Sequence, residues 1–325
     1  MRKLFSFLII SLVAMIVVAC GSNNDNNTAN EANNNNADNE NNEEGSDSVV
    51  VEHELGETEV EKNPEKVVVF DFGSLDTLDE LGIDVAGVAQ KTVPSYLEKY
   101  EGDEYENIGS LKEPDFEKIA EIDPDLIIIS GRQSDLYDQL QELGPTVYLG
   151  VDTENYMDSF KENAETIGEI FDKEDEVAST LDDIDGQVEE INELADESDQ
   201  NGLIIMANDT DISAFGPGSR FGLVHDVFGV TPVDEGIESS THGKNVSFEY
   251  VAEQDPDLLY VIDRNAAIGE DASAEDIVEN ELMEGTKAME NDNIVYLHPD
   301  NWYLSGGGLE SFQLMLDDIK GSLDN

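Results

Sequence analysis

The chain has 325 residues, 39% of them hydrophobic, and its 76 acidic against 16 basic residues give a formal net charge of −60. That balance excludes a nucleic-acid binder, because a phosphate backbone would be repelled. It keeps a surface hydrated at high salt, where screening weakens the repulsion among carboxylates, and it predicts a saline or otherwise harsh external habitat.

Residues 1–19 carry Arg2-Lys3, an apolar run and then small residues, the pattern of a signal peptide. The run is short for a membrane span. Val17-Val18-Ala19-Cys20-Gly21 reads as a bacterial lipobox, in which cleavage precedes a cysteine that is then lipidated. Cys20 is the only cysteine, so no disulfide can form within the chain; the alternative role for it is a buried structural thiol. Residues 20–48 are Asn-rich and acidic after Cys20. Such a segment cannot bury enough apolar surface to offset its chain entropy, and is expected to be a disordered tether.

Residues 49–155 are expected to form a first lobe. Val49–Val60 alternates apolar and polar around Gly56, which fits a hairpin. Val67–Phe70 reads as a strand followed by a helix to about Leu81, and Val85–Val88 as a further strand. Phe116–Arg132, FEKIAEIDPDLIIISGR, then gives a short amphipathic helix stopped by Pro, a buried parallel strand, and an Arg just past its carboxyl end. Residues 156–200 are helical in period and free of Pro, read as one connecting strut or as two helices broken near Asp172–Asp175.

Residues 201–325 are expected to form the second lobe, with strands at Gly202–Met206, Ile212–Phe215 and Ile294–Leu297. Gly216-Pro217-Gly218-Ser219-Arg220 leads into a helix over Phe221–Phe228, and residues 234–245 form a polar loop holding His242. Phe248–Arg264, FEYVAEQDPDLLYVIDR, repeats the first-lobe unit, sharing Phe-Glu, Ala-Glu, Asp-Pro-Asp-Leu and the terminal Arg at one fixed offset. Residues 266–276 read as a loop. Gly306-Gly307-Gly308 opens the last helix and lets the backbone approach something closely. A doubled unit predicts two similar α/β lobes facing one cleft, with ligands at the strands' carboxyl ends.

Only four basic residues are Arg, and Arg2 falls in the signal peptide. Arg132, Arg220 and Arg264 all follow expected strands. In a surface turned almost wholly acidic, retained guanidinium forks point to an oxygen-rich anion, with structural ion pairs as the alternative. His242 and Tyr303 share the same expected rim; a phenolate is a hard ligand suited to Fe(III), and imidazole also suits iron. On their own, a single His and a single Tyr are more often plain surface or core residues. Trp302 is a weaker candidate for ring stacking. The matched acids Glu117 and Glu249 are either solvated helix charges or paired docking points for a dimeric partner. An enzyme has little support. Tyr303 stands where G-x-S-x-G around Ser305 needs Gly, Gly216-Pro217-Gly218 lacks the dinucleotide spacing, and His53, His225, His242 and His298 lack metal-protease spacing.

The lipobox, ETEVEKNPEKVVVFDFGSLDTLDELGI, GSLKEPDFEKIAEIDPDLIIISGRQS, AFGPGSRFGLVHDVFGV, STHGKNVSFEYV and WYLSGGGLES together resemble the iron-siderophore substrate-binding lipoproteins of Gram-positive bacteria, over nearly all of the chain after the tail. The resemblance implies a class III periplasmic-binding-protein fold: two Rossmann-like lobes, a long backbone helix between them and a shallow cleft. It implies a monomer anchored by lipid to the outer face of the cell membrane and feeding an ABC importer. Its ligand would be a ferric catecholate, petrobactin or a related 3,4-dihydroxybenzoyl compound, with Fe(III) as cargo and no permanent cofactor. By the same resemblance Arg132, Arg220 and Arg264 contact catecholate oxygens, His242 and Tyr303 can coordinate iron directly in incomplete complexes, and Glu117 and Glu249 dock on arginines of the permease dimer. Binding of another iron complex, haem or cobalamin is the alternative.

Overall fold

The structure, a computed structural model, describes residues 48–270 and 272–323. The signal peptide, the lipobox with Cys20 and the tether up to residue 47 lie outside the described residues. Ser48, expected as the end of the tether, already pairs with Glu61 at the start of a hairpin, β1 (Ser48–His53) and β2 (Gly56–Glu61). The hairpin is stitched to the first lobe by Thr58, whose hydroxyl donates to the Thr146 carbonyl at 2.7 Å.

The first lobe holds β3 (Val67–Val69), β4 (Gly87–Val88), β5 (Glu106–Asn107), β6 (Leu126–Ile129) and β7 (Thr146–Tyr148), all parallel in the order β5-β4-β3-β6-β7. The second holds β8 (Asn201–Asn208), β9 (Asp211–Phe215), β10 (Thr231–Pro232), β11 (Lys244–Val246), β12 (Leu258–Asp263) and β13 (Ile294–Leu297). Their order is β11-β9-β8-β12-β13, with β10 beside the start of β8. β11 begins at the end of the stretch read as a polar loop, where it pairs antiparallel with β9 and fixes residues 244–246 close in sequence to His242. The loop expected over residues 266–276 instead contains helical turns at Arg264–Ala267 and Ala274–Val278. The helix expected over Phe221–Phe228 is only Leu223–Asp226.

The repeated Asp-Pro-Asp has a structural cause in both copies. Asp123 and Asp255 end their helices in the left-handed conformation (φ 57° and 46°), a role a short polar side chain tolerates, and the following Pro forbids another turn. The second Asp then ties its strand to the central one. Asp125 accepts from the Lys66 amide at 2.9 Å where β3 begins, and Asp257 from the Asn201 amide at 3.2 Å where β8 begins. Each repeat strand is thereby held next to the central strand of its sheet, β6 on β3 and β12 on β8, at the point where strand order reverses.

Between the lobes run two helices, Tyr156–Ile170 and Glu174–Ser198. The break is at Asp172 (φ 53°), whose carboxylate receives Lys62 Nζ at 2.8 Å and Asn63 Nδ2 at 2.6 Å. The longer helix is the backbone helix of the fold. One continuous apolar core joins the first sheet, both connector helices, the C-terminal helix Leu309–Leu323 and one face of the second sheet (Ile204, Tyr260, Ile262). The alternate residues Leu203, Ile205, Leu259 and Val261 face a separate core on the opposite side, as strand pleating requires.

The glycine run meets the protein itself. A Cβ at Gly308 would collide with the carboxylate of Asp76, a wholly buried residue of the first-lobe helix Phe72–Glu80. Asp76 accepts from the amides of Glu310 (3.0 Å) and Ser311 (2.8 Å) and from the Tyr96 hydroxyl (3.1 Å), so the last helix's first amides serve a carboxylate across the lobe boundary, not a ligand. Burial pushes the Asp76 carboxyl up to about 7 against the pull of these hydrogen bonds. Between the ordinary aspartate range and that value, the folded chain keeps a proton that the unfolded chain has released. This group's contribution to stability therefore falls as pH rises through the window. Asp76→Asn is expected to flatten that part of the pH profile of the urea midpoint; a profile of unaltered shape would contradict the assignment.

Candidate binding cleft

Three loops at the carboxyl ends of strands bring the arginines together. Arg132 follows β6 on a loop fixed by the buried Gln133, whose side chain donates to the Leu111 carbonyl and accepts from the Ser130 amide at 3.2 Å. Arg220 follows β9 in a tight turn that requires a positive φ (69°) at Gly218, whose amide donates to Asp226 at 2.6 Å. Arg264 follows Asp263, which caps the next helical turn by accepting from the Ala266 amide at 3.0 Å. All three border one hollow of about 700 Å³ between the lobes, a size that suits a small-molecule ligand.

The three guanidiniums meet on one residue. Arg132 Nη2 and Arg220 Nη2 donate to the Tyr303 carbonyl at 2.9 and 2.6 Å, and Arg264 Nε donates to the Tyr303 hydroxyl at 3.1 Å. The Arg220 guanidinium also lies over the Tyr303 ring at 4.4 Å. Arg264 Nη1 donates to Asn208 Oδ1 at 2.7 Å. Among the described residues none of the three arginines is ion-paired, although carboxylates outnumber cations several-fold. The surface ion-pair alternative thus finds no support. Burial, with the like charge of Arg132 next, pushes the Arg220 guanidinium down to about 10. A positive array held this way is electrostatically unfavourable in the empty protein and complementary to a multiply charged anion.

Tyr303 belongs to a wide π-helical turn, Asp300–Ser305, a geometry often found where function displaces regular helix. Burial pushes its phenol up, but the Arg264 hydrogen bond and the charges of Arg220 and Arg264 outweigh this and hold it below the ordinary tyrosine range. That favours the phenolate, the form able to bind a hard metal. His242 is exposed and borders the same hollow from the β11 side. Trp302 also borders the hollow, but it is only 3% exposed, its indole N–H donates to Asp318 at 2.9 Å and its ring meets Phe228 edge to face. It supports the π turn from the core.

Other cleft residues gave little sequence signal. Lys112 and Asn208 border the hollow, as does Asp71, the N-cap of helix Phe72–Glu80. Tyr156 borders it too, buried and with a hydroxyl that has no hydrogen-bond partner among the described residues. Burial raises its phenol, so the group is a neutral donor. The retention of so few cations could have pointed to Lys112; nothing in the sequence singles out Asn208 or Tyr156. Glu117 and Glu249 occupy the same position in the first turns of the two repeat helices, both exposed and both favoured there by the helix dipole. Among the described residues no cluster of three or more His, Cys, Asp or Glu is arranged to hold a metal ion.

The family model for periplasmic binding proteins matches residues 67–301, which span both sheets and all three cleft arginines. The chain belongs to the periplasmic binding protein family. Among its relatives, the petrobactin-binding protein YclQ of Bacillus subtilis is 50% identical over 99% of both chains. The ferric-anguibactin-binding protein FatB of Vibrio anguillarum is 34% identical over 83% of this chain and 86% of its own. The crystal structure of YclQ superposes with a TM-score of 0.84, covering 86% of this chain and 99% of that one at 54% identity. That of the catecholate-siderophore binding protein VctP of Vibrio cholerae gives 0.81, covering 84% and 99% at 33% identity. The fold of this periplasmic binding protein is the class III fold that the sequence resemblance implied, with two α/β lobes and a helical backbone. Among the described residues no helix is long and apolar enough to cross a membrane.

Proposed function

We propose that the chain captures a ferric catecholate siderophore of the petrobactin type, built on 3,4-dihydroxybenzoyl groups, outside the membrane and delivers it to an ABC importer. The observation that carries this reading is the array of three guanidiniums around one hollow, none of them ion-paired among the described residues of a strongly acidic protein. Guanidinium forks match pairs of adjacent oxygens, and a tris-catecholate of Fe(III) presents three such pairs with net negative charge. The names of YclQ and VctP support the same ligand class. Arg132, Arg220 and Arg264 neutralise the complex; where the siderophore leaves iron positions open, His242 and the Tyr303 phenolate complete its shell. Two donors are too few to strip iron from a chelator, so iron travels as cargo, no covalent bond of the siderophore is made or broken, and no resident cofactor is required.

The protein works as a monomer on the outer face of a Gram-positive cell membrane, tethered through lipidated Cys20. Glu117 and Glu249, one on each lobe and at equivalent positions, suit paired basic sockets on a permease dimer. Cys20→Ala is expected to release the protein into the medium, whereas unchanged membrane retention would refute the anchor. Intrinsic-fluorescence titration tests the ligand class: nanomolar quenching by a ferric catecholate, with none by haem or cobalamin, supports it, and the reverse order of affinity sinks it.

A further inference from the structure

The cleft continues past the arginines. A second hollow of about 420 Å³ lies beyond Lys112, Arg132, Arg264, Tyr303 and Leu304, which border both spaces, whereas Lys91 borders the second alone. Its first-lobe wall carries Lys91, on the turn Gln90–Thr92, and Lys112, and its second-lobe wall carries Ile268. Of the eleven lysines in the described residues, eight stand in ion pairs with carboxylates. With so many acids available, a lysine placed without constraint finds one. Lys91, Lys112 and Lys244 have no ion pair among the described residues; two of these three border this hollow, and Lys244 stands over the Tyr250 ring at 5.0 Å. Glu113 and Glu270 also border the hollow, but neither is within ion-pair distance of Lys91 or Lys112.

We propose that this second hollow is a distinct subsite for a carboxylate-bearing arm of the iron complex whose metal-binding head occupies the first. The inference rests on the siderophore reading above. Ammonium groups are compact, rotatable donors that suit a freely turning carboxylate, whereas the planar guanidinium forks suit the rigid catecholate edge. Glu113 and Glu270 limit the subsite to one anionic group, since a second would face them directly. Arg132 and Arg264 form the shared wall, so head and arm are neutralised by one continuous line of positive charge.

The test compares two gallium chelates on the full chain, a compact tris-catecholate and the same chelate extended by one carboxylate-ended arm. Gallium avoids redox change and keeps the charge of Fe(III). The armed chelate is expected to bind at least tenfold tighter than an otherwise identical chelate whose arm ends in a carboxamide. Lys91→Gln should abolish that preference and leave the compact chelate's affinity unchanged, and Lys91→Glu should reverse it. A wild-type chain that binds the armed, amide-ended and compact chelates alike, with no effect of Lys91→Gln, overturns the subsite alone. One that binds none of them overturns the siderophore reading as well.

Discussion

Replacing Arg132, Arg220 and Arg264 together by Gln is expected to weaken ferric catecholate binding by more than a hundredfold. A hydrogen bond to a charged partner contributes about 1.5–3 kcal/mol, so even strongly non-additive losses exceed that factor. A loss below tenfold, about 1.4 kcal/mol, would remove the clamp from the mechanism. Stability should move differently. Arg220 is held charged where burial and Arg132 disfavour the charge, so its folded-state value lies below the ordinary one. At neutral pH that charge therefore costs stability. Arg220→Gln is expected to keep or raise the thermal midpoint while binding falls. A lower midpoint accompanying the lost affinity would mean that the residue serves mainly as a structural prop.

The second large effect concerns salt. With a formal charge of −60, the folded chain concentrates repulsion that an expanded chain relieves. Raising NaCl from 0.01 to 1 M shortens the screening length from about 30 to about 3 Å. The ion pairs that salt also weakens are mostly exposed and each contributes about 0–1 kcal/mol, so relief of repulsion dominates. Relief of a few kcal/mol moves the midpoint of a domain this size by roughly 10 °C. A thermal midpoint that stays flat across that range, or a rise reproduced by an uncharged osmolyte at equal osmolality, would detach the acidity from any adaptation to salt.

The repeat made the essential geometry legible. Its two Pro-stopped helices, two buried strands and two terminal arginines appear where the pattern put them, because each depends on chemistry local to a dozen residues. Arg220 was legible through rarity, since three arginines in so acidic a chain are conspicuous. What the sequence hid was set by distant partners. Trp302 is drawn into the core by Phe228 and Asp318, neither adjacent in sequence. The glycine run takes its meaning from Asp76, over two hundred residues away. For the connector, the reading of two helices broken near Asp172–Asp175 holds, and the apolar stripe that also allowed one strut continues across a break that Lys62 and Asn63 fix at Asp172. That Tyr303, through its carbonyl and its hydroxyl, gathers three guanidiniums follows only from a π turn that no periodicity announces.

Charge recognition at the cleft is tested most directly by titrating the full chain with two complexes of one shape, the tris-catecholates of Fe(III) and Ge(IV), which differ by one negative charge. Three guanidiniums gathered on a single hollow predict that the trianion binds more tightly by an order of magnitude or more, and that this margin shrinks in the Arg220→Gln variant. Equal affinity for the two complexes, unaltered by the substitution, would contradict capture by neutralisation.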